Sequence, residues 1–424
     1  MVNRLLLLFI FVLLVISCKV NEQVVPRNLE RIYDPSGSAL HPEINTFNNS
    51  DTSSVLIEKF FAGELLFNQA NSENKMQARL DVIWFLYELG DKQHFVDSLT
   101  TTFIFERNDN KKYYTIEIPV KTQKGKDYFL EIINLDKNRK NSQYAFQRID
   151  RSKEFNLKDY LVLNKNSGKF LTEPYIKNDI PFLIKLYNKA FDSLNVFFYK
   201  PDNNIPAPPT LNDDFKNNFE VYDSTWVCYF DSLNIKDYIK EGIYYFTFEN
   251  EPVNGIPLFR FSSNFPVVRT PRDLIMPLSY FGYNDSISAN DSIGKFSKLA
   301  VDNFWLGKAK NMDKSRELIK TFYNRVLFAN IYFSSFKAGW QTDRGMIYII
   351  YGLPDYLYKS GNEERWIYNP SGIGTGISFT FTYNKHPFSL NHYILDRQKL
   401  KLAGWDEALE VWNKGEVFYY QNQF

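Results

Sequence analysis

Cysteine is almost missing from this chain: Cys18 and Cys228 are the only two in 424 residues. A single possible pair excludes a disulfide-stapled framework, so stability has to come from packing. Histidine is scarce too, with only His41, His94, His386 and His392, and none at the spacing of a helical metal pair. With no paired-cysteine motif either, the sequence predicts no metal site and no cofactor. His386 and His392 flank a predicted strand and read as surface residues. Charge of one sign is also lacking. Fifty basic against 49 acidic side chains leave a net charge of +1, which carries no footprint for nucleic acid. Long apolar runs are absent beyond the leader, and 44% hydrophobic residues with 17% aromatics suffice for two or three cores. Catalytic motifs are missing as well: there is no G-x-S-x-G elbow and no local serine–lysine arrangement. Gly372-Ile373-Gly374-Thr375-Gly376 precedes a strand, Ile377 to Tyr383, and lacks the lysine of a phosphate loop, so it reads as a hairpin loop.

The amino terminus is informative. Arg4 gives a basic start and Leu5 to Ile16 an apolar run, long enough for a secretory signal and too short to span a bilayer. Val15-Ile16-Ser17-Cys18 resembles a bacterial lipobox, which implies diacylglycerol on the Cys18 thiol and removal of residues 1–17. Several acyl chains on one residue anchor a protein firmly, whereas one does not. Lys19, where an aspartate would signal inner-membrane retention, favours an outer-membrane anchor in the cell envelope, facing the periplasm or the cell surface.

Residues 18–53 are polar and rich in Asn, Ser and Pro, and read as a lipidated tether reaching roughly 30 Å. Short strands separated by polar turns follow. In 54–156 they are Val55–Phe61, Arg79–Tyr87, Thr101–Glu106, Tyr113–Val120 and Tyr128–Ile133, with Tyr114, Ile116, Ile118 and Val120 alternating. In 157–268 they are Tyr160–Leu163, Phe182–Tyr187, Leu194–Tyr199, Phe219–Phe230, Gly242–Phe248 and Leu258–Phe261, around a proline-rich loop from Pro201 to Pro209. This spacing predicts two tandem antiparallel β-sandwich (Ig-like) domains. In 269–424 the period becomes helical. Ile293, Phe296, Leu299, Ala300 and Phe304 share one face after an Asp291-Ser292 start. Leu318, Ile319, Phe322, Val326, Ala329 and Phe333 share another, with Asn311 or Asp313 as cap, and an α+β module is expected.

That module holds the most distinctive run, Gly339-Trp340-Gln341-Thr342-Asp343-Arg344-Gly345, followed by Met346 to Tyr351 and a second turn, Gly352-Leu353-Pro354-Asp355. It resembles the signature of the GWxTD-domain proteins, a family of bacterial envelope proteins with no assigned activity. Phe304-Trp305, Glu317, Tyr323, Arg325-Val326, Ala329-Asn330, Phe333, Trp366 and Tyr368 extend the resemblance. The links Leu306–Asp313, without the family's usual acidic proline connection, and Leu353, where a second proline is common, depart from it. Tyr33-Asp34-Pro35 and Leu40-His41-Pro42 resemble the segment that leads the family's first sandwich, so part of the tether is expected to dock.

Read for physics, the signature is architectural. Gly339 is expected to take positive φ after the second helix, Trp340 to be a large apolar anchor, and Thr342 with Asp343 to bond nearby amides in a turn. Ile347, Ile349 and Tyr351 are expected on one side of a strand, with Tyr348 and Ile350 on the other. For chemistry, the only carboxylates clustered near the signature are Asp343, Asp355, Glu363 and Glu364, and a hydrolase acting through Asp343, Arg344 and Asp355 is one alternative. A glycan-binding module using exposed aromatics among the 28 tyrosines is another. The leading expectation is a non-enzymatic module for a protein or glycan partner. Finally, Asp-Ser followed by an aliphatic residue or threonine recurs at Ser98, Ser193, Ser224, Ser232, Ser286 and Ser292. About one such triplet is expected by chance. The pattern resembles the acceptor motif of a periplasmic O-glycosylation system, which makes those serines candidate sites.

Overall fold

The computed structural model describes residues 27–152, 157–168, 170–171, 175–176, 180–186, 192–211, 221–229, 238–283, 297–368, 376–397 and 404–419. The leader with Cys18, the serines at 232, 286 and 292, and Gly372 to Thr375 lie outside them.

Eight strands come first: β1 (Glu43–Ser50), β2 (Ser53–Phe61), β3 (Gln69–Ala70), β4 (Met76–Leu89), β5 (Gln93–Glu106), β6 (Tyr113–Lys121), β7 (Asp127–Asp136) and β8 (Asn141–Asp150). They form the antiparallel sheets β1-β2-β6 and β4-β7-β8, with β3 and β5 both on β4. Alternation decides the packing: Tyr114, Ile116, Ile118 and Val120 are buried while Thr115, Glu117, Pro119 and Lys121 are exposed. They join Leu56, Phe60, Leu80, Val82, Trp84, Leu130 and Ile132 in one core. Residues 43–50, expected inside the tether, are therefore a strand of the first sheet.

β9 (Tyr160–Asn164) and β10 (Phe182–Leu186) pair, and β11 (Ser193–Tyr199), β12 (Ser224–Tyr229), β13 (Gly242–Thr247) and β14 (Ile256–Arg260) make a sheet ordered β12-β11-β13-β14. All six residues of β13 are buried, because this sheet is covered on both faces. Val196, Phe198, Tyr244 and Phe246 face a core with Phe182 and Ile184, whereas Phe197, Tyr199, Ile243 and Tyr245 pack on Phe336 and Phe388 from the carboxy-terminal region.

That region contains α1 (Pro271–Ile275), α2 (Lys298–Ala309), α3 (Met312–Phe333), a 3-10 turn at Gly339–Gln341, α4 (Asp343–Tyr351), the sheet β15 (Tyr356–Lys359), β16 (Glu363–Tyr368), β17 (Ile377–Tyr383), β18 (Tyr393–Leu395), and α5 (Trp405–Asn413). Asn311 caps α3, its side chain accepting from the amides of Asp313 and Lys314. Two expectations change here. The described part of α2 is capped by Ser297, and it buries Val301, Trp305 and Ala309 while Leu299 is 66% exposed, so the apolar face lies one residue on from the stripe read from sequence. The larger change is that the run after the signature is helix α4, where a strand was expected. All nine of its residues are buried. A short run that is apolar all round suits a buried strand and a buried helix equally, and periodicity cannot separate them. The discriminating signal was the cap: Thr342 precedes an acidic first turn, and its hydroxyl accepts the Gly345 amide.

The polypeptide that leads into β1 docks on the same region. Leu29 N–H donates to the Leu357 carbonyl at 2.8 Å, Asn28 bonds the backbone of Asp355 and Leu357, and the Tyr33 ring sits against Phe333 and Trp366.

Candidate functional site

The signature is built around a backbone contact. A Cβ on Gly339 would lie 1.8 Å from the Ala329 carbonyl oxygen of α3, and a Cβ on Gly345 would lie 1.9 Å from the Gly339 carbonyl oxygen. Neither position has room for a side chain, and at Gly339 this close approach, where a positive φ was expected, is what requires glycine. Between them the Thr342 hydroxyl donates to the Gly339 carbonyl at 2.8 Å and accepts from Gly345 N–H at 3.1 Å. Trp340 is only half-buried. Its N–H donates to Asn330 Oδ1 at 3.2 Å, its carbonyl accepts from the Tyr280 hydroxyl, and the two rings meet edge to face.

Asp343 and Arg344 point to different partners. The Asp343 carboxylate accepts the Leu395 amide at 2.8 Å and pairs with Arg397 at 2.6 Å. Arg344, 1% exposed, donates to Glu364 at 3.1 Å and to the Asn391 carbonyl and side-chain oxygens at 2.9 and 2.6 Å. Its guanidinium lies over the Phe333 and Tyr393 rings. Glu364, fully buried, also accepts from Lys359 at 2.6 Å and from the Trp366 indole at 2.8 Å. Burial alone would raise its pKa, but Lys359 and Arg344 outweigh that and hold the carboxyl down at about 2. Glu364 pushes Arg344 and Lys359 above their ordinary values in spite of their own burial.

The second turn closes α4. Gly352 takes φ +84°, and Arg325 of α3 covers it, donating to the terminal carbonyls of Ile349 and Ile350 at 3.0 Å each. The Tyr368 hydroxyl donates to the Gly352 carbonyl at 3.0 Å. Pro354 is buried; Asp355 is half-buried, with its amide on the Ile367 carbonyl. The proline-rich loop docks alongside: Lys337 pairs with Asp202 at 2.7 Å, Gln341 donates to the Asp202 carbonyl, and Arg397 donates to the Ala207 carbonyl.

Of the four carboxylates read as a cluster, Asp343 and Glu364 are buried on separate cations and Glu363 is exposed. Among the described residues no three His, Cys, Asp or Glu side chains gather in a set that would hold a metal. His386 and His392 are a correction to the surface reading. His386 stacks on Phe336 with ring centroids 3.8 Å apart, and burial pushes the two imidazoles down to about 2 and about 4. Phe336 packs on both rings and Phe388 on His386, which spacing alone did not reveal. Ser98 and Ser224 are exposed and Ser193 is half-buried. A groove of about 400 Å³ lined by Phe198, Ser224, Trp226, Lys240 and Tyr244 opens on the β12 side of its sheet, and no signature residue lines it.

Lys359, Arg397 and Asn391 were missed from sequence, since each meets the signature only through tertiary contact. Arg325 and Asn330 stood among the family-like positions.

Residues 242–414 match the family model described as the GWxTD domain. The chain carries a GWxTD domain. The match begins at β13, so it takes in β13 and β14 of the β12-β11-β13-β14 sheet as well as the signature. No curated protein matches the sequence. Among solved structures the chain is similar to Bacteroides uniformis β-glucuronidase 2 covalently bound to cyclophellitol-6-carboxylate aziridine, at 10% identity over 38% of this chain and 16% of that one, with a TM-score of 0.18. It is also similar to Bacteroides uniformis β-glucuronidase, at 12% identity over 35% and 15%, with a TM-score of 0.17. The chain thus spans under a fifth of the length of those proteins.

Proposed function

We propose that this is a lipid-anchored protein of the cell envelope, held by Cys18 in the outer membrane, whose GWxTD domain is a rigid, non-enzymatic module for a protein or glycan partner. The observation that carries the reading is the internal use of the signature's functional groups. Asp343 and Arg344 are buried on Arg397 and Glu364, and Thr342 bonds only the turn it caps. A general acid or base needs a proton-transfer partner within reach of a substrate, and these groups have spent theirs on the fold. Two tandem Ig-like sandwiches, the second clamped to the GWxTD domain through the 201–209 loop, form the arm between anchor and module. Serines 98, 193, 224 and 232 on the arm, and serines 286 and 292 in the carboxy-terminal module, are proposed O-glycan sites, to be counted by intact mass of the protein from its native envelope.

The test is envelope fractionation joined to partner capture. Wild-type protein should enter the outer-membrane fraction, and Asp343→Asn should lose captured partner only in step with its thermal melt. A hydrolytic activity that Asp343→Asn abolishes while the melt stays unchanged would overturn the reading in favour of catalysis.

A further inference from the structure

β5 is an unusual edge. It pairs with β4 along its whole length, from Gln93 to Glu106, and among the described residues nothing pairs with its other side. Arg107 N–H donates to the Met76 carbonyl at 2.8 Å, which fixes the parity of the ladder. Odd-numbered residues after the bulge address β4, so Ser98, Thr100, Thr102, Ile104 and Glu106 direct their N–H and C=O groups off the sheet. Edges of this kind are normally blunted by lysine, proline or short length. The facing sheet obeys that rule, because its edge strand β6 carries Pro119 and Lys121. β5 has 14 residues and no Lys, Arg, Pro or Gly. It exposes 61% of Phe95, 44% of Leu99 and 53% of Ile104.

We infer that β5 is a self-association edge, at which two copies of this chain pair antiparallel about a two-fold axis at Thr101 and join their sheets into one. The parity of the outward groups permits this register, with Thr100 opposite Thr102 and Ser98 opposite Ile104 in hydrogen-bonded pairs. Leu99 then meets Phe103 of the second copy on the face that overhangs the core, which covers the exposed Leu99. The charge pattern favours a second copy over a charged partner strand. Asp97 is the only charged residue between His94 and Glu106, and the register sets the two Asp97 side chains about 27 Å apart, beyond a Debye length. A self-pair therefore keeps the two Asp97 side chains apart, and the one near approach of like charges, Glu106 of one copy beside Asp97 of the other, falls at the bulged end outside the Ser98–Ile104 ladder.

Thr101 on the axis is a non-hydrogen-bonded pair, the position with the shortest Cα separation, and suits a symmetric disulfide. Full-length Thr101→Cys, oxidised mildly in native envelopes, should run at twice the mass of the chain, whereas Thr115→Cys on exposed β6 should not. Leu99→Lys added to Thr101→Cys should abolish the doubled band with an unchanged melt. A Thr101→Cys chain that stays monomeric, a doubled band that survives Leu99→Lys, or a crosslink to a different protein would each overturn the proposal. Slow exchange of the outward amides of Ser98, Thr100, Thr102, Ile104 and Glu106 in a monomeric chain would overturn it too, by assigning the edge to another segment of the same chain.

Discussion

Glu364→Gln tests the electrostatic centre of the GWxTD domain. The carboxylate is fully buried between Arg344 and Lys359, whose side chains are 1% and 9% exposed. Removing its charge leaves two buried cations facing each other with no anion between them, and costs the charge-assisted bond to the Trp366 indole. Breaking a buried ion pair from one side typically costs about 3–5 kcal/mol, most of it the penalty of the stranded charge. Glutamine keeps the shape, so a cavity contributes little. Urea unfolding followed by tryptophan fluorescence is a suitable assay, because Trp305, Trp340, Trp366, Trp405 and Trp412, five of the seven tryptophans, lie in this region. The double variant with Lys359→Met removes one stranded cation, and the cycle should show a coupling of about 1–3 kcal/mol. A Glu364→Gln transition within about 0.5 kcal/mol of wild type, or an additive cycle, would refute the reasoning.

Gly339→Ala should cost about 3 kcal/mol or more through backbone overlap with Ala329, while Gly307→Ala, with open space on α2, should gain up to about 1 kcal/mol; paired thermal melts compare them. Glu58 points into the first core, and burial, only partly offset by Asn134, pushes its carboxyl up to about 8. The unfolded chain releases that proton near 4.5, so between 4.5 and about 8 the folded state holds more protons and stability falls as pH rises, by up to about 1.4 kcal/mol per unit. Melts of Glu58→Gln from pH 5 to 8 should lack that slope. His386 and His392 act in the opposite sense: their folded pKa values lie below 6.5, so stability is present above 6.5 and drains away as pH falls, and His386→Phe should blunt the loss. Cys18→Ala should move the protein from the outer-membrane fraction to soluble or uncleaved material, as seen by fractionation and the mature amino-terminal sequence.

Local signals were strong wherever a single chain segment decides its own environment. The strand pattern of Tyr114 to Val120, the Asn311 cap and the apolar stripe from Leu318 to Phe333 follow from periodicity and capping, which act over a few residues, and so they were legible. The GWxTD run was legible as a motif for the same reason. Its conformation was not read from periodicity, because Met346 to Tyr351 are apolar all round; the Thr342 cap is the one local signal for a helix, and burial between α3 and the β15–β18 sheet completes the choice. The partners of Asp343 and Arg344 were equally out of reach, since Arg397, Asn391 and Lys359 meet them from distant segments. Burial of His386, of Tyr33 in the leading segment and of every residue of β13 depends on which surface closes over them. Sequence therefore determined the elements and the motif, while tertiary structure decided that the motif's charges face inward, where a low dielectric makes pairing obligatory.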